Sequence, residues 1–257
     1  MWYWHFMVML PGARLAVNVD LSKYPFFSGK IENFSLLPTQ GFCNENYSFQ
    51  MDDQTYLFRK FKEQNVDRKF EFKVQNLAYE KEIAAKAILL DEENGLMICE
   101  FLEGHHKDVL DKYDLRELVT LLKKLHMLQV DGAVLDLEDL LNHKSPEIIE
   151  AFNIVKKYQT EHVLCHNDLN PKNILFKKTL KLIDWEYASI NDRYFDLASI
   201  SVEFGLDEED EIFFLEAYFD RDDEIHLAKL NAYKTIYSAL CKQWFEQLSS
   251  RNRTFRI

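Results

Sequence analysis

The sequence predicts an α+β fold of two lobes, a small β-rich N-terminal lobe and a larger, mainly α-helical C-terminal lobe. β-forming residues and turn signals dominate up to about residue 100. Beyond that point, apolar residues recur at helical spacing. The 257 residues are enough for two lobes with a hydrophobic core. Since clefts between lobes are common ligand sites, we expect function at their junction.

Charge and cysteine usage narrow the class of protein. The formal net charge of −12 argues against broad electrostatic binding to nucleic acid or anionic lipid, because both favour a basic surface. The four cysteines, Cys43, Cys99, Cys165 and Cys241, are far apart and form no CxxC pair. This pattern predicts reduced thiols in a cytoplasmic protein instead of a disulfide framework or a zinc site.

The apolar segment at residues 1–10 is followed directly by Pro11 and Gly12. It has no basic leading region and is too short to span a bilayer. We therefore expect it to pack on the protein as a helix or strand, without export and without stable insertion into a membrane.

The elements of the N-terminal lobe follow from alternation and turn signals. Residues 36–61 predict three strands, with breaks at residues 44–46 and 52–54. Residues 76–90 have apolar positions at helical spacing and predict a helix. A strand at 96–101 closes the lobe, which we place at residues 1–99, with a hinge at residues 100–104.

Residues 105–257 form the predicted C-terminal lobe. Asp114 and Glu117 resemble a capping box in front of a leucine stripe. At the end of that stripe, His126 is expected to be a buried, hydrogen-bonded structural residue. Residues 173–184 predict a β-hairpin, and residues 222–248 predict a long helix with one apolar side.

The chemistry of the chain is concentrated between residues 163 and 184. The stretch contains His166, Asp168 two residues later, Asn173 five residues after that, and Asp184 at the end of the predicted hairpin. Phosphoryl transfer needs a carboxylate beside the attacking hydroxyl and oxygen ligands that hold Mg²⁺ against the phosphates. One loop supplies Asp168 and Asn173, and the returning hairpin is expected to bring Asp184 to the same place.

The segment from His166 to Asn173 matches the form HxDxxxxN and resembles the choline/ethanolamine kinase and aminoglycoside phosphotransferase superfamily, whose fold is protein-kinase-like. A second block, residues 183–188 with the sequence IDWEYA, continues through Asn191 and Asp196 to Glu203 and resembles choline kinases more than aminoglycoside kinases. The similarity extends from about residue 39 to residue 237. In length the chain resembles the bacterial enzymes that supply phosphocholine to cell-surface glycans.

The resemblance implies ATP and Mg²⁺ as cofactors and gives each motif residue a role. Asp168 is expected to be the catalytic base, while Asn173 and Asp184 are expected to hold Mg²⁺. His166 more often braces the backbone of such a loop than takes part in the chemistry.

The nucleotide site is expected in the N-terminal lobe and the hinge. Gly41, Cys43 and Asn44 lie in a segment that resembles the family's phosphate-covering turn, where backbone N–H groups can cradle phosphate. Glu100 and Leu102 correspond to the hinge whose backbone contacts adenine.

Arg59 lies where choline kinases place a basic residue that holds the nucleotide phosphates. Glu80, in the predicted helix that follows, is expected to be its ion-pair partner. Lys60 is the alternative to Arg59, but the alternation of a β-strand points it to the opposite face.

A quaternary ammonium such as choline offers no N–H donor, so aromatic faces and carboxylates must recognise it. The candidate substrate residues are Trp185, Glu186, Tyr187, Glu203, Tyr233 and Tyr237. Eukaryotic choline kinases have two tryptophans in the late helix, where this chain has Lys234 and Tyr237. Core packing is the alternative role for Tyr233, Tyr237 and Trp244.

These expectations combine into an ATP- and Mg²⁺-dependent choline kinase with a small cationic amino alcohol as its partner. A kinase for ethanolamine, thiamine or an aminoglycoside is the nearest alternative. A nucleotide-binding module without catalysis is a third, and the presence of Asp168, Asn173 and Asp184 argues against it. The oligomeric state stays open.

Overall fold

The computed structural model describes residues 21–41, 43–63, 65–219 and 225–254. The element expected at residues 1–10 lies outside the described residues. The described strands are β1 Glu32–Leu36, β2 Asn44–Met51, β3 Gln54–Phe61, β4 Ala87–Asp91, β5 Leu96–Glu100, β6 His162–Cys165, β7 Ile174–Leu175, β8 Lys181–Leu182 and β9 Ser189–Asp192. The described helices are α1 Arg68–Glu80, α2 Lys112–His126, α3 Leu137–Leu140, α4 Pro146–Val155, α5 Arg193–Glu203, α6 Glu208–Tyr218 and α7 Leu227–Thr254.

The N-terminal lobe is built on one antiparallel sheet with the strand order β1-β2-β3-β5-β4. Strands β2 and β3 form a tight hairpin, in which Asn46 pairs with Arg59. Asp52 and Asp53 form its turn, and both have positive φ angles, of 50° and 62°. Two-residue hairpin loops of this kind match the twist of the strands, and Asp is among the residues that tolerate the conformation.

Both faces of this sheet are covered. An aromatic cluster that includes Phe27, Phe49 and Phe58 fills one face, and each of these rings is at most 1% exposed. A smaller cluster around Met97 and Cys99 covers the other face, with Phe72 of α1 packed against it. Because two faces are buried, neighbouring residues of β3, Phe58 and Arg59, are both inaccessible.

Two predictions for this lobe were wrong in extent. The first strand lies at residues 32–36, before the predicted position, and residues 44–46 belong to β2 instead of a break. The helix expected at residues 76–90 begins earlier, where Asp67 caps it by accepting a hydrogen bond from the Phe70 N–H. It ends before Glu82, which has a φ of 61°. The apolar run 87–90 then pairs with β5, since a short apolar run suits a buried strand as well as a helix.

Helix α5 is largely buried inside the C-terminal lobe. Residues 194–201 of this helix are all buried, because α7 lies against it and β6 runs beside it. The β7–β8 hairpin is present as predicted, with Ile174 opposite Leu182. Helices α4, α5 and α6 were not among the predicted elements. The long last helix begins at Leu227 instead of residue 222.

The cap of α2 also differs from the prediction. Asp111, not Asp114, is the N-cap, and its carboxylate accepts a hydrogen bond from the Asp114 N–H at 2.8 Å. The carboxylate of Asp114 accepts in return from the Asp111 N–H at 3.3 Å. Asp114 is thus the reaching-back residue of the capping box, and it also receives Lys107 at 2.6 Å. The prediction of a capping box was right, but the box is formed by Asp111 and Asp114 instead of Asp114 and Glu117.

The two lobes meet where β5 ends at Glu100. The Phe101 N–H donates to the Thr55 carbonyl at 3.1 Å, which continues the sheet for one more bond. At Gly104 an added Cβ would lie 3.1 Å from the Cβ of Leu175, so the chain crosses close to the C-terminal lobe there. The division into residues 1–99, 100–104 and 105–257 stays a proposal. Among the described residues, no helix combines the length and apolarity that a membrane crossing needs.

The position of the α2 cap can be tested by stability. Asp111→Ala removes the side chain that accepts the N3 hydrogen bond and should lower the free energy of unfolding by about 1 kcal/mol. Glu117→Ala is the matched control and should change it by less than about 0.5 kcal/mol. Urea unfolding measures both, and the reverse order would restore the cap at Asp114.

Candidate active site

The loop after β6 carries the predicted base. Asp168 is half-buried, and amide groups of its own loop hold both of its carboxylate oxygens. Asn173 donates through Nδ2 to Oδ2 of Asp168 at 2.7 Å, and Asn170 donates through Nδ2 to Oδ1 at 2.9 Å. The Asn173 amide also donates to the Asp168 carbonyl at 2.9 Å. These bonds fix the plane of the carboxylate.

The hairpin returns Asp184 to this loop, as predicted. Its last residues are fastened by a hydrogen bond from the Ile183 N–H to the Asn173 carbonyl, at 3.0 Å. Asp184 has a φ of 65° and a ψ of 68°. This left-handed conformation is uncommon for a residue with a side chain, and such residues cluster at functional sites.

The electrostatics of Asp168 reflect two carboxylates in one place. Burial raises the pKa of Asp168, and the charge of Asp184 raises it further. His166 and the amides of Asn170 and Asn173 act in the opposite direction, but the pKa stays above its usual value. A carboxylate whose pKa is raised in part by a neighbouring carboxylate indicates a place that favours a cation.

The rings of His166 and Trp185 are buried against each other beside the loop that contains Asp168. The imidazole Nε2 of His166 lies 3.0 Å from the Ile183 carbonyl oxygen, and the two rings lie 4.9 Å apart. His166 is 0% exposed and Trp185 is 1% exposed. This geometry matches the bracing role expected for His166. It places Trp185 in the core, although the sequence indicated a substrate contact.

Asp196 anchors the loop from helix α5, a role that the motif match alone did not give. Its carboxylate accepts hydrogen bonds from the backbone N–H groups of His166 at 2.9 Å and Asn167 at 2.8 Å. It also lies 3.1 Å from Nε2 of His126, which is buried and hydrogen-bonded as predicted. The available signal was a lone carboxylate inside an apolar helix, because such a charge needs partners when it is buried.

Arg59 links the sheet to Asp184 of the C-terminal lobe. Its guanidinium lies 2.5 Å from Glu71 and 2.5 Å from Asp184. Burial alone would lower the pKa of Arg59, but Glu71 and Asp184 outweigh it and the pKa is raised. Lys60 is exposed on the other face, as strand alternation predicted.

The prediction that Glu80 is the ion-pair partner of Arg59 was wrong, because Glu71 takes that place. Glu80 is the exposed last residue of α1, whereas Glu71 lies in the buried first part of the helix. The error follows from the misplaced helix, since an actual start at Arg68 brings Glu71 level with the sheet.

Glu186 also lies elsewhere than the sequence indicated. Its carboxylate accepts from Asn44 at 3.1 Å and from Arg68 at 3.3 Å, so its polar partners belong to the N-terminal lobe. Burial raises the pKa of Glu186, and Asp184 raises it further. This geometry places the Glu186 carboxylate against the N-terminal lobe, and its role toward the substrate stays a prediction.

The turn before β2 carries the other predicted nucleotide residues. Gly41 is exposed, and Asn44 is buried against Glu186. The Gln40 side chain closes the turn, because it both donates to the Asn46 carbonyl and accepts from the Asn46 N–H at 2.9 Å. Burial raises the pKa of Cys43 to about 12, so its thiol stays protonated.

The hinge residues Glu100 and Leu102 are half-buried. Leu102 lines an open cavity of about 510 Å³, together with Leu175 and the turns at residues 52–55 and 177–181. Asp168, Asn173 and Asp184 do not line this cavity. The role of the hinge in reading adenine therefore stays a proposal.

The other predicted substrate residues differ in their surroundings. Glu203 and Tyr237 meet, since the Tyr237 hydroxyl donates to the Glu203 carboxylate at 2.9 Å. Burial raises the pKa of Glu203, and the charge of Asp168 adds to the effect, so this pair lies within electrostatic reach of Asp168. Tyr187 is 39% exposed, and its hydroxyl lies 3.5 Å from the Cys43 sulfur. Tyr233 is 3% exposed and packs edge-on against Phe195 inside the lobe.

A family profile and several individual proteins match this sequence, and they point to the same kind of protein. The sequence profile of the choline/ethanolamine kinase family matches residues 133–225. The protein LicA of Haemophilus influenzae is 28% identical over 185 residues, which cover 63% of this chain and 69% of that protein. The chain spans between 62% and 69% of the length of the three LicA proteins that it matches.

The fold is shared with solved structures. Choline kinase LicA from Streptococcus pneumoniae superposes with a TM-score of 0.74 at 21% identity, over 86% of this chain and 87% of that one. Plasmodium vivax ethanolamine kinase gives a TM-score of 0.68 at 19% identity, over 83% and 75% of the two chains.

The protein-kinase-like fold is shared with these kinases, and together with the sequence matches it supports a kinase-like phosphotransferase that acts on an alcohol group. The chain resembles the choline/ethanolamine kinase family, whose profile matches residues 133–225.

The corrected partner of Arg59 can be tested with two glutamates of the same helix. Glu71→Gln removes the charge that holds the guanidinium and should raise the KM for ATP roughly tenfold or more, as expected for a lost charged hydrogen bond. Glu80→Gln, at the exposed end of α1, should leave the KM unchanged. Steady-state kinetics at saturating amino alcohol measure both. A defect in Glu80→Gln alone would reinstate the pair predicted from the sequence.

Proposed function

We propose that the protein transfers the γ-phosphoryl group of ATP to the hydroxyl of choline, with Asp168 as the catalytic base. The observation that carries the proposal is the Asp168 carboxylate, which the Asn170 and Asn173 amides hold in place and which interacts electrostatically with Asp184, Glu203 and Tyr237. A base near a carboxylate that can bind a cation, and near a half-buried carboxylate paired with a tyrosine, suits the transfer of phosphate to a cationic alcohol.

The residues at the first end fit a magnesium ion. Asn173 donates to Asp168 through its nitrogen, so its Oδ1 is left as an acceptor, and Asp184 uses Oδ1 for Arg59. Amide and carboxylate oxygens are the ligands that Mg²⁺ takes in phosphoryl-transfer sites. Asn173 and Asp184 would hold the ion, which when bound offsets the negative charge of the nucleotide phosphates.

Asp168 would orient the attacking hydroxyl. The alcohol oxygen forms a bond to the γ-phosphorus, the bond between that phosphorus and the bridging oxygen of ADP breaks, and the hydroxyl proton passes to Asp168. The amides of Asn170 and Asn173 hold the carboxylate in one plane, so its free lone pairs face a fixed direction. Positioning of this kind accounts for much of the rate of phosphoryl transfer.

The substrate end would hold the ammonium group. Glu203 supplies a negative charge near Asp168, and the Tyr237 hydroxyl fixes its carboxylate at 2.9 Å. Tyr187 is exposed and interacts with Trp244 of α7, so two aromatic rings lie at one edge of the site. Ring faces attract a trimethylammonium group, whereas a primary ammonium favours hydrogen-bond acceptors. This aromatic supply favours choline over ethanolamine.

The catalytic role of Asp168 is tested by Asp168→Asn. Because the amide accepts no proton, kcat should fall by roughly two orders of magnitude or more, with little change in the thermal midpoint. Asp184→Ala should give a loss of similar size through the metal. Asp108→Asn, an exposed carboxylate, is the control. Turnover near the wild-type value in Asp168→Asn would remove the base assignment, and a wild-type protein that releases no ADP with any amino alcohol would favour a binding module.

Substrate choice is tested by comparing kcat/KM for choline and ethanolamine. Wild type should prefer choline. Glu203→Gln should weaken both substrates, since it removes a charge. Tyr237→Leu should reduce choline more than ethanolamine, because a ring face contributes about 0.5–2 kcal/mol to a cation contact. Tyr237→Phe, which keeps the ring, is the matched control.

Equal losses for both alcohols in Tyr237→Leu would show that the ring only packs, so that the cage lies elsewhere. A wild-type preference for ethanolamine would reverse the substrate assignment and leave the phosphotransferase chemistry intact.

A further inference from the structure

Arg68 occupies a position where a cation is costly. It is the first residue of α1, and the N-terminal end of a helix is the positive end of its dipole, which disfavours a guanidinium. The residue is only 5% exposed, and burying a charge carries a large desolvation penalty. Packing alone would be served better by an apolar side chain of the same size. The charge of Arg68 therefore calls for a role at the site.

Its contacts lead to both lobes. Through Nη1, Arg68 donates to Glu71 at 2.6 Å and to Glu186 at 3.3 Å. Through Nη2 it donates to Asn44 at 3.4 Å. The guanidinium carbon lies 4.0 Å from the centre of the Phe61 ring, a cation–π contact. Glu186 belongs to the C-terminal lobe, and the other contacts belong to the N-terminal lobe.

Glu71 is shared between two arginines. Its Oε1 accepts from Arg59 at 2.5 Å, and its Oε2 accepts from Arg68 at 2.6 Å. Arg59 also contacts Asp184. The cluster thus contains three carboxylates and two guanidinium groups, so acidic groups outnumber basic groups by one. Its members are Glu71, Asp184, Glu186, Arg59 and Arg68. When a nucleotide and its metal draw on Asp184 and Arg59, the pair of Glu71 with Arg68 does not have to break.

We propose that Arg68 is a positioning residue for the nucleotide site: it holds Glu186 of the C-terminal lobe against Glu71 of α1, and so keeps Arg59 aimed at the phosphates. The inference rests on the proposed kinase function. Lysine would not replace Arg68, because a single ammonium does not reproduce the planar fork that reaches Glu71, Glu186 and Asn44.

The test uses Arg68→Met, which keeps the bulk over Phe61 and removes the charge. Its dissociation constant for MgATP, measured by titration without any alcohol, should rise roughly tenfold, as expected for the loss of charged hydrogen bonds. Its KM for the amino alcohol should stay within about twofold of wild type, since uncoupled sites behave independently. Arg68→Lys should recover little of the loss. Lys69→Gln, whose exposed side chain pairs with Glu92, is the matched control.

A double-mutant cycle separates positioning from general destabilisation. If Arg68 acts through Glu186, the loss in Arg68→Met combined with Glu186→Gln should fall well short of the product of the two single losses. Wild-type binding of MgATP by a folded Arg68→Met, or fully multiplicative losses, would overturn the proposal. If Arg68→Met does not fold, the same MgATP titration is made with Arg68→Lys. Wild-type affinity in Arg68→Lys would then overturn the proposal. Binding of MgATP does not depend on Asp168, so failure of the proposed reaction would be seen separately, in turnover.

Discussion

The guanidinium of Arg59 is the interaction on which the site depends. It lies inside the sheet of the N-terminal lobe and makes one ion pair with Glu71 of α1 and another with Asp184 of the C-terminal lobe. Because its side chain is 6% exposed and that of Glu71 is fully buried, removal of one partner would leave an uncompensated charge in a poorly solvated place. The pairs therefore fix the position of α1 against the sheet and the position of Asp184 against both.

A second set of hydrogen bonds, made by Asp196 of α5, holds the loop that contains Asp168. Asp196 receives the N–H groups of His166 and Asn167, and Asn167 adopts a φ of 64°. The Asn167 amide donates to Ser189 at 2.8 Å and so ties the loop to β9. A backbone conformation of this kind persists only where the surroundings determine it, and here several hydrogen bonds do so. Asp168 is thus placed by backbone contacts before any ligand arrives.

The end of the site near α7 depends on packing between helices. Tyr237 lies against Phe195 of α5, with ring centres 5.7 Å apart, and its hydroxyl reaches Glu203 at the end of the same α5 helix. Lys234 is paired with Glu211 of α6. This ion pair fastens α7 to α6. An ammonium site here would rely on Glu203, on the Tyr237 ring and on rings at the open edge, such as Tyr187.

The sequence by itself determined the fold class, the β7–β8 hairpin, the outward direction of Lys60 and the loop that carries Asp168 and Asn173. All of these follow from local rules: the alternation of a strand, the reach of a turn and the fixed spacing of a motif. Only the tertiary structure decided that Arg59 pairs with Glu71 instead of Glu80, that Glu186 faces the N-terminal lobe, and that Trp185 and Tyr233 are buried. These outcomes depend on where α1 begins and on which helix covers which ring. Both are set by contacts between residues far apart in the chain, and periodicity within a segment carries no information about them.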